Sequence, residues 1–254
     1  RGIGRASAVT LASMGANVVV TGTGRDPETF PEDEKSIDWK DIESTAEQVK
    51  KIGSKAKTVI MDISKEEDVE KMIEETINEF GRIDILVNNA GTNRPDHFTK
   101  IKKEDVDYVV NLNMKAAFHV AQMATKVMLK SKNRKSNGGS IINMSSQLGK
   151  VGAPNRSIYN MTKFGIEGLT RGMALDLAKN NIRVNSICPT FVETPMVKKF
   201  FQDKKFKKAM MDNIPLGRLA TDSDIATAVV YLASNASSMI TGSSLVIDGG
   251  WTAK

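Results

Sequence analysis

The sequence predicts an α/β fold, a doubly wound parallel sheet flanked by helices, forming a single domain over residues 1–254. Three observations predict it. Short β-rich runs alternate with helical ones along the whole chain. Those runs are continuously apolar rather than alternating, the habit of strands buried on both faces. No repeat, low-complexity tract or linker divides the chain.

Each element follows from a local pattern. Gly2-Ile3-Gly4 opens a helix that runs from Arg5 to Met14 and closes at Gly15. The first strand, Asn17 to Thr21, is built on Val18-Val19-Val20. Others follow at Thr58-Val59-Ile60, Ile85-Leu86-Val87, Ile141-Ile142, Ile182 to Ile187 and Leu245-Val246-Ile247. Ser64-Lys65-Glu66-Glu67 reads as a capping box, after which Val69, Met72, Ile73, Ile77 and Phe80 recur at helical spacing until Gly81 stops the run. Thr221-Asp222-Ser223-Asp224 starts another helix in the same way, leading into Ile225, Val229 and Leu232. A longer helical run, Ser157 to Asn180, precedes the strand at Ile182. Thr23 to Lys40 is longer than a usual βα connection and is expected to be a surface excursion.

Composition excludes some classes of function. With 40% hydrophobic and 26% charged residues the chain is an ordinary globular one, so disorder is ruled out. Its net charge of +6 permits attraction to phosphate-bearing ligands. A nucleic-acid binder would need a basic stripe with stacking aromatics, and 6% aromatic content offers little for that. The single Cys188 cannot form an internal disulfide, which points to a reducing compartment. The longest apolar stretch, Ile225 to Ala233, is too short to span a membrane, and no signal peptide precedes the fold, so a cytoplasmic protein is expected. His97 and His119 stand in no metal-ligand spacing, so no metal site is expected. The chain opens at Arg1 rather than Met, and the native protein is expected to extend upstream.

Four motifs bear on chemistry. Gly2-x-Gly4 at a helix start suits a dinucleotide pyrophosphate, because glycine admits close backbone approach and the helix end supplies N–H groups; a simple turn reads the same way. The strand ending in Thr21-Gly22-Thr23-Gly24-Arg25 has no acid at its tip to grip ribose hydroxyls. Arg25 and Arg1 suit a 2′-phosphate instead, which favours NADP over NAD, unless Arg25 points to solvent. Asn88-Asn89-Ala90-Gly91 directly follows a strand, at the end where parallel sheets bind ligands, and it is also a turn-forming sequence. Tyr159-x-x-x-Lys163 places a phenol and an ammonium on one helix face, where the cation is expected to lower the phenol's pKa. Singly, such a pair also arises on any amphipathic helix. Ser146, which follows the strand Ile141 to Asn143, brings a hydroxyl toward the same place.

Taken in order, Gly2-Ile3-Gly4, Asp62, Asn88-Asn89-Ala90-Gly91, Asn113, Ser145-Ser146, Tyr159-x-x-x-Lys163, Pro189, Thr194 and Asp248-Gly249-Gly250 resemble the short-chain dehydrogenase/reductase family across essentially the whole chain. The resemblance implies a Rossmann-like, NAD(P)-dependent oxidoreductase moving a hydride between a nicotinamide and a carbonyl or secondary alcohol, as a homotetramer. It implies Tyr159 as general acid or base, Ser146 steadying the substrate oxygen, Lys163 binding the nicotinamide ribose, and Asn113 holding a water in a relay toward Lys163. Asp62 is then expected near the adenine, Asn89 and Gly91 near the riboses and Thr194 near the carboxamide. Ile63, Ala90, Pro189 and Val192 would line the same cofactor site. A dinucleotide-binding regulator without catalysis is the competing reading, and the presence of Ser146, Tyr159 and Lys163 together argues against it. The family's Thr-Gly and first strand do not precede Gly2, so the centre of the sheet is expected to lack a strand. Thr190 stands where the family usually has Gly.

Residues 195–216 correspond to the segment that closes over substrate in this family. Met196, Phe200, Phe201, Phe206, Met210 and Met211 suit an adaptable apolar pocket, while Lys198, Lys199, Lys204, Lys205, Lys207 and Lys208 suit an acidic substrate, such as an acyl thioester on a phosphate-bearing carrier, or simply a solvated face. Lys130, Lys132, Arg134 and Lys135 form a second basic stretch, open to the same two readings.

Overall fold

A computed structural model describes residues 1–24, 26, 28, 41–131, 138–193, 197, 201 and 204–253. Six strands alternate with helices in the order α1 (Gly2–Ser13), β1 (Val18–Gly22), α2 (Asp41–Lys51), β2 (Ala56–Ile60), α3 (Glu66–Phe80), β3 (Ile85–Asn88), α4 (Lys103–Val110), α5 (Ala117–Lys130), β4 (Gly139–Met144), α6 (Ser157–Leu177), β5 (Ile182–Pro189), α7 (Lys204–Met211), α8 (Asp222–Ala233) and β6 (Ser244–Ile247). Every pairing is parallel. The sheet is in two parts, β1 beside β2 and the row β3-β4-β5-β6, and among the described residues no ladder joins β1 to β3.

The apolar runs are explained by what covers them. On β4, Ile141 and Ile142 are both fully buried although they point to opposite faces. Ile142 packs with Leu11 of α1, Ile187 of β5 and Ile225, Val229 and Leu232 of α8. Ile141 packs with Met128 of α5, Ala174 and Leu177 of α6 and Val184 of β5. A third cluster joins Val59 of β2, Val69 of α3 and Val120 of α5. Burying each such Ile or Leu stabilises the fold by roughly 1.5–3 kcal/mol. Helices on both faces thus leave only the strand ends for ligands.

The helix ends at Gly81 and Thr221 follow the sequence, and the one at Ser64 does not. Gly81 ends α3 in the left-handed region (φ 73°), its N–H donating to the Ile77 carbonyl at 2.8 Å. At α8 the Thr221 hydroxyl accepts from the Asp224 N–H at 3.1 Å while the Thr221 N–H donates to the Asp224 carboxylate at 2.8 Å, a complete capping box. Ser64 does not cap α3. Its hydroxyl donates to Asp62 Oδ1 at 2.7 Å, and Lys65 occupies the cap position without a side-chain bond. The nearer carboxylate outcompetes the helix for that hydroxyl. Within the expected excursion from Thr23 to Lys40, residues 25, 27 and 29–40 lie outside the described residues, as do residues 132–137 of the second basic stretch.

Candidate active site

The site is built where the carboxyl ends of the parallel strands meet the start of α1, the place where open α/β sheets bind ligands. α1 begins directly at Gly2, whose φ is 50°, and no side chain caps its first turn. A Cβ at Gly4 would lie 2.9 Å from the Asn89 amide nitrogen, so the helix start and the turn after β3 are in close approach. Arg1 is exposed beside them, Ile3 packs into the core, and Ala90 and Gly91 are exposed. This narrow, glycine-lined cradle at an uncapped helix start fits a dinucleotide pyrophosphate. Asp62 follows β2. Its Oδ1 accepts from the N–H and hydroxyl of Ser64, hydrogen bonds that hold its carboxyl below the ordinary range, and Ile63 packs against the β2–α3 core.

Asn113 lies in a π turn, Asn111–Ala116, between α4 and α5. The extra residue in such a turn re-aims a side chain. Here the Asn113 Oδ1 accepts from the Thr92 N–H at 2.8 Å, and Nδ2 donates to the Thr92 carbonyl at 2.9 Å and to Thr162 Oγ1 at 3.1 Å. The amide therefore clamps the turn after Gly91 onto α6 and has no spare donor for a water. The Thr162 hydroxyl in turn donates to the Tyr159 carbonyl at 2.9 Å.

Ser146 stands just past β4, where its hydroxyl accepts from the Leu148 N–H at 3.1 Å and caps the turn Gln147–Gly149. It also stands near enough to the Tyr159 phenol on α6 to favour the ionised form of that phenol. Asn160 fastens this loop to the helix by donating to the carbonyls of Leu148 at 2.8 Å and Val151 at 2.7 Å. Lys163 is buried, its ammonium 5.4 Å from the centre of the Tyr159 ring and donating to the Met144 carbonyl at 2.8 Å. Burial pushes the Lys163 pKa down to about 8, against the opposing pull of Cys188 and Glu167.

The expected lowering of the phenol by Lys163 is not what this geometry produces. Burial holds Tyr159 above its ordinary value near 10, offset only in part by the nearby Ser146 hydroxyl and by the Arg156 guanidinium. The ammonium lies over the ring face and is committed to a backbone carbonyl. The phenol is therefore a retained proton at neutral pH, the form a proton donor needs.

At the end of β5, Pro189 is buried and the Thr190 N–H donates to the Ile247 carbonyl at 3.0 Å, so threonine in place of glycine keeps the strand path. The Thr190 hydroxyl is buried without a partner. Val192 is buried in the main core cluster and bridges Ala220 through its backbone. Phe191 lies tilted against Phe201 and Trp251, with ring centres 6.4 and 6.0 Å apart. Arg25 and Thr194 lie outside the described residues, as do 195–196, 198–200 and 202–203 of the expected substrate segment; Lys204, Lys205, Lys207 and Lys208 of α7 are exposed. Among the described residues no group of three His, Cys, Asp or Glu is placed to hold a metal. No helix among them is long and apolar enough to cross a membrane.

Comparison with known proteins decides the family. Residues 1–252 match the family described as Enoyl-(Acyl carrier protein) reductase. The chain belongs to the short-chain dehydrogenases/reductases. It is 34% identical over 249 residues to a 3-oxoacyl-(acyl-carrier-protein) reductase FabG of Thermotoga maritima, covering 98% of this chain and 93% of that protein. It is equally 34% identical over 253 residues to a 2-dehydro-3-deoxy-D-gluconate 5-dehydrogenase of Escherichia coli, covering 100% and 92%. A gluconate 5-dehydrogenase from Burkholderia cenocepacia, solved in complex with NADP and tartrate, superposes with a TM-score of 0.86 at 29% identity, covering 100% and 92%. As a short-chain dehydrogenase/reductase this chain is an oxidoreductase that moves a hydride between a nicotinamide cofactor and a carbonyl or secondary alcohol.

Proposed function

We propose that the protein is an NADPH-dependent reductase of a 3-oxoacyl thioester, with Tyr159 as the proton donor. The observation that carries this reading is the gathering of Ser146, the Tyr159 phenol and the buried Lys163 ammonium beside Gly91, where an added Cβ would lie 3.8 Å from Lys163 Nζ. When bound, the nicotinamide supplies the hydride. Ser146 orients the substrate carbonyl by hydrogen bonding, Tyr159 gives that oxygen its proton, and Lys163 holds the nicotinamide ribose beside them. Asn113 fixes the turn on which Asn89, Ala90 and Gly91 would meet the riboses, and its relay of protons toward Lys163 then needs a water on the second lone pair of Oδ1. Asp62 and Ile63 would meet the adenine, and Pro189, Val192 and Thr194 the carboxamide. Arg1 and Arg25 would hold the 2′-phosphate, a reading supported by the absence of an acid after Val20 in the strand Val18–Gly22.

The thioester class is supported by the names of the reductase relatives and by the aromatic group at Phe191 beside the exposed lysines of α7. A sugar acid is the second reading, favoured by the dehydrogenase relatives. A homotetramer in the reducing cytoplasm completes the proposal. The stripe of exposed Met161, Phe164 and Leu175 on α6, with open notches at Gly168 and Gly172, supports self-association, and the single buried thiol supports the compartment.

Following NADPH absorbance with acetoacetyl thioester and a keto-gluconate tests the substrate, and repeating the assay with NADH tests the cofactor. Tyr159→Phe is expected to lower kcat by about 100- to 10,000-fold while leaving NADPH affinity within about twofold. Wild-type turnover by that variant would remove Tyr159 from the reaction, and preference for NADH would remove the 2′-phosphate reading.

A further inference from the structure

A partly buried ionic knot lies one helical turn beyond Lys163, outside the residues assigned so far. Glu167 is only 3% exposed. Its Oε2 accepts from the Lys150 ammonium at 2.5 Å and from the Ser244 hydroxyl, and the same ammonium reaches Ser244 Oγ at 2.6 Å. Its Oε1 accepts from the Cys188 thiol at 3.4 Å. The knot thus gathers four pieces of the fold: the loop that follows Ser146, the middle of α6, the start of β6 and the end of β5. The loop is also pressed onto the helix at this turn. A Cβ at Gly149 would sit 2.7 Å from the Ser145 hydroxyl, 3.0 Å from the Lys163 carbonyl and 3.2 Å from Glu167 Cγ. Ser145 Oγ donates to that Lys163 carbonyl at 3.4 Å.

A buried ion pair is a poor device for stability, since removing two charges from water offsets most of their attraction and well-packed apolar residues serve as well. It does fix direction. Two charged groups and a hydroxyl, each saturated, hold the Ser146 loop and α6 at one separation. A proton donor and the hydroxyl that orients its substrate must be held to a fraction of an ångström. At the Tyr159 end of the loop Asn160 makes the attachment; at the Lys163 end this knot does so with an ion pair.

We propose that Lys150, Glu167 and Ser244 form a clasp that positions Ser146 against Tyr159 and Lys163, making Lys150 and Glu167 positioning residues for the reduction. This rests on the reading of Tyr159 as proton donor. Glu167 also stands one helical turn from Lys163 on α6 and favours the charged form of that lysine, with Arg156 and Tyr159 on preceding turns of the helix, Cys188 on β5 and Lys150 on the loop as the other titratable groups that act on these residues. Losing its charge therefore makes Lys163 easier to deprotonate.

The test compares Glu167→Gln, Lys150→Met, the double variant and Ser244→Ala in the full chain. It measures kcat, KM, NADPH affinity, the pH profile of kcat and amide exchange of residues 145–151. Glu167→Gln and Lys150→Met are each expected to lower kcat about tenfold with KM and NADPH affinity within about twofold, and the double variant to be no worse than the poorer single one. Exchange at Leu148, Gly149 and Lys150 should quicken, and the alkaline fall of kcat should move to lower pH in Glu167→Gln. Wild-type kcat, unchanged exchange, or losses that multiply in the double variant would overturn the clasp. Should Glu167→Gln not fold, Ser244→Ala decides, with a smaller fall in kcat and faster loop exchange expected and wild-type values refuting. Failure of the wild type to reduce any carbonyl would refute the reaction instead, and loop exchange in the variants then judges the clasp alone.

Discussion

Replacing Asn113 by alanine tests whether the turn after Gly91 is held to α6 by one side chain. Asn113 is 2% exposed and makes three hydrogen bonds, two with the backbone of Thr92 and one with Thr162. A buried neutral hydrogen bond contributes about 1 kcal/mol net, so losing three costs about 3 kcal/mol. For a chain of this size that predicts a fall in Tm of roughly 6–12 °C by thermal scanning. Amide exchange should quicken at Thr92, whose N–H loses its acceptor, before it quickens in β4. Asn113→Asp keeps that acceptor but turns a carboxylate oxygen toward the Thr92 carbonyl and the Thr162 hydroxyl, so it should restore protection at Thr92 without restoring Tm. A fall in Tm of less than about 2 °C for the alanine variant would show that water or repacking replaces the clamp and that the turn is held elsewhere.

Other expectations follow from the same site. Gly4→Ala should leave Tm nearly unchanged, because the clash is with the movable end of Asn89, yet weaken NADPH binding about tenfold in a fluorescence titration by filling the cradle. Lys163 sits below its ordinary 10.5 at about 8, so the fold carries the cost of a desolvated ammonium below pH 8 and sheds it as pH rises toward 10.5. The stability of wild type relative to Lys163→Met, measured by urea unfolding, should accordingly rise by about 3 kcal/mol across that window. Glu167 shares that slope with pH, but its charge is favourable where that of Lys163 is costly. Although burial raises its pKa, bonds from Lys150 and Ser244 hold it at about 2 against an ordinary 4.5, so its contribution is complete above pH 4.5 and lost as pH falls toward 2. The advantage of wild type over Glu167→Gln should shrink by about 3 kcal/mol over that range.

Sequence pattern foretold the parts of this fold that depend on burial. Ile141 and Ile142 are adjacent and both apolar because both faces of β4 are covered, and that is visible in one dimension. Gly81 and the Thr221–Asp224 pair are equally local, since a left-handed residue and a three-residue hydrogen bond need no distant partner. Ser64 was misleading for the same reason: its hydroxyl can accept from a helix N–H or donate to a carboxylate, and only folding shows that Asp62 takes it. The π turn at Asn111–Ala116 is a change of hydrogen-bond partner that apolar periodicity does not record. Glu167 offered one signal, its place four residues beyond Lys163, but its partners Lys150 and Ser244 are 17 and 77 residues away along the chain. The raised phenol was missed because spacing shows the nearest charge and not the loss of solvent.

Two polar attachments therefore grip α6 from opposite sides of Lys163. Asn113 ties Thr162 to the turn after β3, where the cofactor riboses are proposed to lie, while Glu167 ties the same helix to the loop after β4, where the substrate oxygen is proposed to lie. Neither attachment is an economical way to hold a helix, because the core clusters already bury the opposite face of α6 through Ala174 and Leu177. Apolar packing tolerates rotation and sliding of a helix by fractions of an ångström, whereas saturated hydrogen bonds with fixed directions do not. A helix that must present a phenol to one ligand and an ammonium to another, from adjacent turns, needs its rotation fixed relative to both. The cost is concentrated at Lys163, an ammonium held in a place that disfavours its charge. Stabilising substitutions at these buried polar positions are thus expected to loosen the relation between Ser146, Tyr159 and Lys163 even as they raise Tm.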